Sequence, residues 1–240
     1  MSSSPTDRTS TTGSSTSSPS RADRGRGELR SGAEGPRIAL VTCGAIAQPA
    51  ASVIARRGWP VDIHPLPPLL HNQPHLIADQ VRTLAIELSA SYDAVAVGYA
   101  DCGTYGALDV VCDELGLKRL PGLHCYDLFD GSEALAQRLD DEPGTYLFTD
   151  FLVRSFERTV VRELGLDRYP ELRDDYFRHY TRVVWLAQEP DAELRTMAQS
   201  AAERMGLPLT VVPTGTGKLE QALADLVGGT VLPGSLNGAV

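Results

Sequence analysis

Three cysteines stand where a metal ion or an iron–sulfur cluster could be held: Cys43 in Thr42-Cys43-Gly44, Cys102 in Asp101-Cys102-Gly103-Thr104, and Cys125 in His124-Cys125-Tyr126. Each directly follows a short apolar run that reads as a β-strand, so parallel strands would bring all three thiols to one edge of a sheet. Cys43 and Cys102 also precede helical stretches, where free N–H groups and the helix dipole favour a thiolate. A thiolate is the ligand that zinc or an iron–sulfur cluster requires. A lone cysteine is more often a small buried hydrophobe, and Cys112, inside Val110-Val111-Cys112, is read that way. Three cysteines at independent strand ends are harder to explain by packing. Three thiolates on zinc would leave an open position able to activate a thiol or water, and a four-iron cluster would leave one iron open to substrate. Metal-free thiol redox chemistry, with two cysteines cycling through a disulfide, is the alternative on the same residues. A non-catalytic module that holds a cofactor or a partner protein is the alternative of another class.

Other groups join this edge. His124 is a candidate proton donor or fourth ligand, although neighbours in an extended chain point to opposite faces, so it can ligate beside Cys125 only if the backbone turns. Asp101 and Asp150 are candidate catalytic bases, and acids at strand ends are also common helix caps. His71 and Asn72, in His71-Asn72-Gln73-Pro74-His75, and Gly103 and Thr104 after Cys102 are candidate cofactor contacts. Gly215-Thr216-Gly217-Lys218-Leu219 resembles a phosphate loop, but Val212 stands where its first glycine would be and Leu219 where Ser or Thr would hold magnesium. Gly215 and Gly217 remain candidates for an anion-binding nest of N–H groups. No Gly-x-Ser-x-Gly elbow is present, which argues against a serine hydrolase of that kind.

The elements that must position these groups alternate between strand and helix. Arg37–Thr42 reads as a buried strand, followed by a helix ending near Gly58, a strand over Trp59–Ile63 and a Pro-rich loop, His64-Pro65-Leu66-Pro67-Pro68. A helix from Pro74 carries Ile77, Val81, Leu84, Ala85 and Leu88 at helical spacing. A third strand over Asp93–Tyr99, a helix stopped by Gly116, a short strand over Arg119–Leu123 and a fifth over Gly144–Phe148 follow. One amphipathic helix is expected over 149–164, then strands over Thr181–Leu186 and Leu207–Val212 with helices over 191–205 and Lys218–Leu226. The alternation predicts a mostly parallel, Rossmann-like doubly wound α/β sheet in one domain, whose ligand edge is the carboxyl end of the strands.

The composition bounds the rest. Residues 1–36 are almost entirely Ser, Thr, Gly, Pro, Arg and acidic residues and read as a disordered tail; 37–230 are the α/β domain, and 231–240 a flexible C-terminus. The chain carries a net charge of −9, and its first 36 residues hold five arginines against four acids, which leaves −10 on the remainder. So acidic a domain is a poor nucleic-acid binder. No stretch approaches the roughly 20 apolar residues of a membrane helix, and no apolar leader opens the chain, so a cytoplasmic protein with reduced thiols is expected. The expected partner is a small-molecule substrate or cofactor, with a protein partner as a further option.

The runs Asp101-Cys102-Gly103-Thr104, His124-Cys125-Tyr126 and Gly144-Thr145-Tyr146-Leu147-Phe148-Thr149-Asp150-Phe151-Leu152 are similar to those of a bacterial and archaeal family, domain of unknown function 1638. So are His71-Asn72-Gln73-Pro74, Leu164-Gly165-Leu166-Asp167 and Tyr169-Pro170-Glu171-Leu172, and the resemblance spans about residues 37 to 226. Ala100 stands where that pattern would have glycine. The resemblance implies a setting in cofactor metabolism, corrinoid-dependent or methyl-transfer, and supplies no catalytic residues.

Overall fold

A computed structural model describes residues 35–230. The stretch 231–240 and all but the last two residues of the 1–36 tail lie outside the described residues. Every strand pairing is parallel, in a four-stranded sheet of order β2-β1-β3-β4 and a three-stranded sheet of order β5-β6-β7. This is an α/β fold of Rossmann-like type.

β1 (Ile38–Cys43) lies between β2 (Val61–Leu66) and β3 (Ala94–Gly98), and all six of its residues are buried. An unbroken apolar run is what a parallel strand covered on both faces requires. Thr42 stands opposite Gly98, and a Cβ on Gly98 would fall 2.5 Å from Thr42 Oγ1; the threonine hydroxyl instead donates to the Gly98 carbonyl at 3.0 Å. Between these strands run α1 (Ala47–Arg57), ended by Gly58 in the left-handed conformation, and α2 (Ile77–Leu88). β2 extends three residues beyond the expected Ile63 and takes in Pro65, because it is the edge strand, where a missing N–H costs no ladder bond.

α3 (Ala107–Leu115) leads to β4, which is only Lys118–Arg119 instead of Arg119–Leu123. Pro121 cannot donate to a ladder, and Gly122 at φ 99° turns the chain away. Two helices not anticipated from the sequence follow, α4 (Asp127–Asp130) and α5 (Ser132–Asp141).

The second sheet comprises β5 (Thr145–Thr149), β6 (Arg182–Ala187) and β7 (Leu209–Pro213). The expected single helix over 149–164 is α6 (Asp150–Phe156) continued by a π-helical turn over Glu157–Val161. α7 (Arg173–Phe177) and α8 (Ala192–Met205) complete this half, whose apolar core is centred on Phe148, Trp185 and Leu194. The last helix, α9 (Gly217–Thr230), does not stay with it. α9 packs on β3, β4, α1 and α4, and buries Leu219, Leu223 and Leu226 in the core of the first sheet. Among the described residues no helix is long and apolar enough to cross a membrane.

Candidate metal centre

Cys43 ends β1, with its side chain fully buried. The next residue must be glycine: a Cβ on Gly44 would lie 2.6 Å from the Leu66 carbonyl oxygen and 2.9 Å from Pro68 Cδ. That close approach seats the 3-10 turn Pro68–Asn72 on the strand end and directs His71 at the sulfur. Both ring nitrogens of His71 lie 3.9 Å from Cys43 Sγ, and Nδ1 donates to the Pro68 carbonyl at 3.0 Å. A backbone partner on one ring nitrogen fixes the ring and frees the other to act as a ligand.

Cys102 arrives from β3 in the left-handed conformation, φ 52°, which costs a non-glycine residue roughly 1–2 kcal/mol. Asp101 holds the loop in that shape. Its carboxylate accepts from Gly103 N at 3.2 Å, Thr104 Oγ1 at 2.7 Å, Tyr105 N at 3.2 Å and Gly106 N at 3.0 Å. The backbone N–H groups of Asp101 and Cys102 donate to the carbonyls of Gly122 and Leu123 at 3.1 and 2.8 Å, which ties this loop to the segment before Cys125. The Asp127 carboxylate accepts from Leu123 N at 2.7 Å and His124 N at 3.1 Å, and that turn leaves His124 exposed while Cys125 is half-buried.

One ligand atom each of His71, Cys102 and Cys125 lies within 4.8 Å of the others, a group able to hold a metal ion. The imidazole is thus the hub, close to Cys43 as well as to Cys102 and Cys125. Cys112, buried in α3, stands apart from this group, and burial pushes its thiol up to about 11.

The charges within the group follow from its geometry. Hydrogen bonding from the Cys125 thiol, opposed by burial and aided by His71, holds Cys102 down at about 5. Burial disfavours a charge on His71, but hydrogen bonding and charge attraction from Cys102 and Cys43 outweigh it and push the imidazole up to about 11. The hydrogen bond to Cys102, together with burial, keeps Cys125 well above the usual thiol range. The arrangement therefore favours a thiolate on Cys102 beside an imidazolium on His71 in the metal-free centre. Because the Cys102 value is depressed, its thiolate persists above pH about 5 and is lost as pH falls through it. Alkylation by iodoacetamide should accordingly proceed at Cys102 at pH 6, where an ordinary thiol with a value near 8.5 is almost unreactive. His71→Ala should move the half-point upward, as followed by peptide mass spectrometry; an unchanged profile would mean that the imidazole does not set the thiolate.

A cavity of about 400 Å³ opens on the group. His71, Cys102 and Cys125 line it, together with Asn72, Gly103 and His124. The second half supplies the facing wall, including Tyr146, Thr149, Phe151 and Leu152. Thr104 caps the approach to α3, its hydroxyl engaged with Asp101. Asp150 begins α6 at the same edge, but its carboxylate accepts from Trp185 Nε1 and from the N–H groups of Gln188 and Glu189. Gly215 and Gly217 do not line this cavity, and the N–H groups of Thr214 and Gly215 donate to the Ala187 carbonyl.

Sequence reasoning missed Tyr99. Its ring stacks on His71 with centroids 6.4 Å apart, and it is fully buried. Its hydroxyl is the one buried side-chain polar atom without a hydrogen-bond partner among the described residues. Burial, reinforced by the charges of Cys43, Cys102 and Cys125, holds the phenol above its usual range, which marks the hydroxyl as a neighbour of the sulfurs. Its position directly after β3, three residues before Cys102, was the available signal.

Fold and centre together define a parallel α/β protein with a cysteine–histidine group at the carboxyl edge of its first sheet. The chain belongs to the family described as protein of unknown function (DUF1638), which it matches over residues 65–223. That stretch contains His71, Cys102 and Cys125, whereas Cys43 precedes it. No curated protein matches the chain.

Proposed function

We propose that the protein binds a single soft divalent metal ion, zinc foremost, through Cys102, Cys125 and His71, with Cys43 as the further thiolate, and that the cavity presents a small molecule to that ion. The observation that carries this reading is the mutual spacing of 4.8 Å or less at the mouth of the cavity. Ligands on one zinc sit roughly 3.5–4 Å apart, given bonds of about 2.0–2.3 Å; the cysteine sulfurs of a four-iron cubane lie farther apart, so the spacing favours one ion over a cluster. A thiolate-rich zinc lowers the proton affinity of a bound thiol or water, chemistry that suits the methyl-transfer setting implied by the family resemblance. The role is enzymatic or accessory, in small-molecule or cofactor metabolism. The strongly acidic composition argues against a nucleic-acid partner.

The unpartnered Tyr99 hydroxyl supports an occupant, because a buried polar group without a partner signals an unseen ligand or water. Tyr99→Phe should leave the metal-free protein at least as stable, since it removes an unsatisfied group, yet weaken zinc binding by about 10–100-fold, as loss of a supporting hydrogen bond does. Equal zinc affinity in competition titrations would show that the phenol does not support the centre.

Metal analysis and the visible spectrum of anaerobically purified protein test the main reading. About one zinc per chain in a colourless protein supports it; a brown protein with iron and sulfide overturns the single-ion assignment. A metal-free protein that takes up no zinc would leave the second reading, a thiol redox pair of Cys102 and Cys125, which the low Cys102 value favours.

A further inference from the structure

We propose that a second chamber, adjoining the cysteine cavity across the shared wall residue Phe151, binds an oxyanionic group, phosphate or carboxylate, on the small molecule whose other end reaches the centre. Its span to the centre rests on the metal reading above; the anion chamber itself does not. The chamber holds about 370 Å³ and is lined by Gln48, Phe151 and the arginines Arg154, Arg158 and Arg162. A small space of about 30 Å³ lies beside both. Phe151 lines all three spaces, Ala45 is shared by the cysteine cavity and the small space, and Gln48 and Arg154 by the small space and the chamber.

The chamber gathers three arginines in a chain whose acidic residues outnumber its basic ones by 31 to 22. Arg158 and Arg162 have no carboxylate within salt-bridge distance among the described residues, and Arg154 has only Asp191 at 3.9 Å. The one acid lining the chamber, Glu157, is already paired with Arg204 at 2.7 Å. Arginines four residues apart on one helical face repel each other, and that arrangement is favourable when an oxyanion sits between them, since guanidinium groups bind phosphate and carboxylate in a planar, two-toothed manner.

The π-helical turn is a second, independent observation. Such turns interrupt α-helices at functional sites more often than elsewhere. Here the turn over Glu157–Val161 lies between the two spaces: Thr159 and Val160 line the cysteine cavity, whereas Glu157 and Arg158 line the arginine chamber. One irregular segment thus borders both spaces.

The test is titration of the full-length protein with inorganic phosphate and, separately, with glutarate, by calorimetry. At least one should bind the native protein, and the stronger of the two identifies the anion source. The double variant Arg158→Gln, Arg162→Gln should bind it at least about tenfold more weakly, as loss of two charged donors implies, with unchanged zinc content and undiminished thermal stability, because both side chains are exposed and lack partners among the described residues. Cys102→Ser should retain anion binding, which separates this proposal from the metal reading. Absence of binding of both anions to the native protein, or equal affinity in the double variant, would overturn it.

Discussion

Serine at Cys102 or at Cys125 should strip the protein of its metal. Hydroxyl oxygen does not ionise at neutral pH and is a poor ligand for a soft ion, and even changes in groups that merely support a ligand cost 10–100-fold in affinity. Loss of a ligand should therefore weaken zinc binding by more than about 100-fold, enough to leave the purified variant empty. His71→Ala should do the same, since the imidazole is the hub from which all three sulfurs lie 4.8 Å or less. Cys112→Ser is the internal control and should keep its full metal content, because Cys112 lies outside the group. Cys43→Ser carries separate information. Full retention of zinc would make Cys43 a buried neighbour and leave a three-ligand centre with an open position, whereas loss would make it the fourth ligand. Stoichiometric zinc in Cys102→Ser and Cys125→Ser alike would end the proposal.

Asp150→Ala should cause a large loss of stability and no loss of metal. The carboxylate accepts from Trp185 Nε1 at 2.8 Å, Gln188 N at 3.1 Å and Glu189 N at 2.7 Å, which fastens the end of β5 to the end of β6. Hydrogen bonds to a charged group contribute about 1.5–3 kcal/mol each, and the donors left behind lose their partner. Trp185 is fully buried, so its indole N–H gains no water in exchange. After allowance for water reaching the two backbone donors, a loss of roughly 3 kcal/mol is expected, measured as a fall in the urea midpoint at constant slope. Asp150→Asn, which keeps one acceptor oxygen, should fall between. A change of less than about 0.5 kcal/mol, within the ordinary range of surface substitutions, would free the carboxylate for a role in chemistry.

The positions of Cys43 and Cys102 were legible because their strands announce themselves, whereas Cys125 lies beyond a turn, six residues after β4 ends at Arg119. β1 and β3 are continuous apolar runs, and a residue just past the end of a parallel strand has only one edge to occupy. The hub was not legible in the same way. His71 belongs to no strand, and it reaches Cys43 only because Gly44 lets the Pro68 turn descend onto the strand end, a tertiary contact with no local signature. Asp101 and Asp150 show the limit from the other side. An acid at a strand end has the same sequence appearance whether its carboxylate faces a substrate or structural donors, and here both carboxylates accept from backbone N–H groups together with one side chain, Thr104 Oγ1 on Asp101 and Trp185 Nε1 on Asp150. The π-turn was invisible because its apolar spacing passes for that of an ordinary helix, and α4 because four residues hold too little periodicity to register.

The return of α9 to the first sheet has a consequence for how the protein is made. A chain emerging from the ribosome produces β1 to β4, and with them all four groups of the cysteine centre, long before residues 217–230. Until those residues appear, the face that Leu219, Leu223 and Leu226 cover is open to solvent. The newborn centre therefore spends about 90 residues of synthesis, from Cys125 to Gly217, on a sheet whose apolar face is still uncovered. Docking of α9 is the step that closes that interval. Loading before or after it are two distinct routes of maturation, and arrested chains of increasing length would tell them apart by the point at which zinc becomes slow to leave.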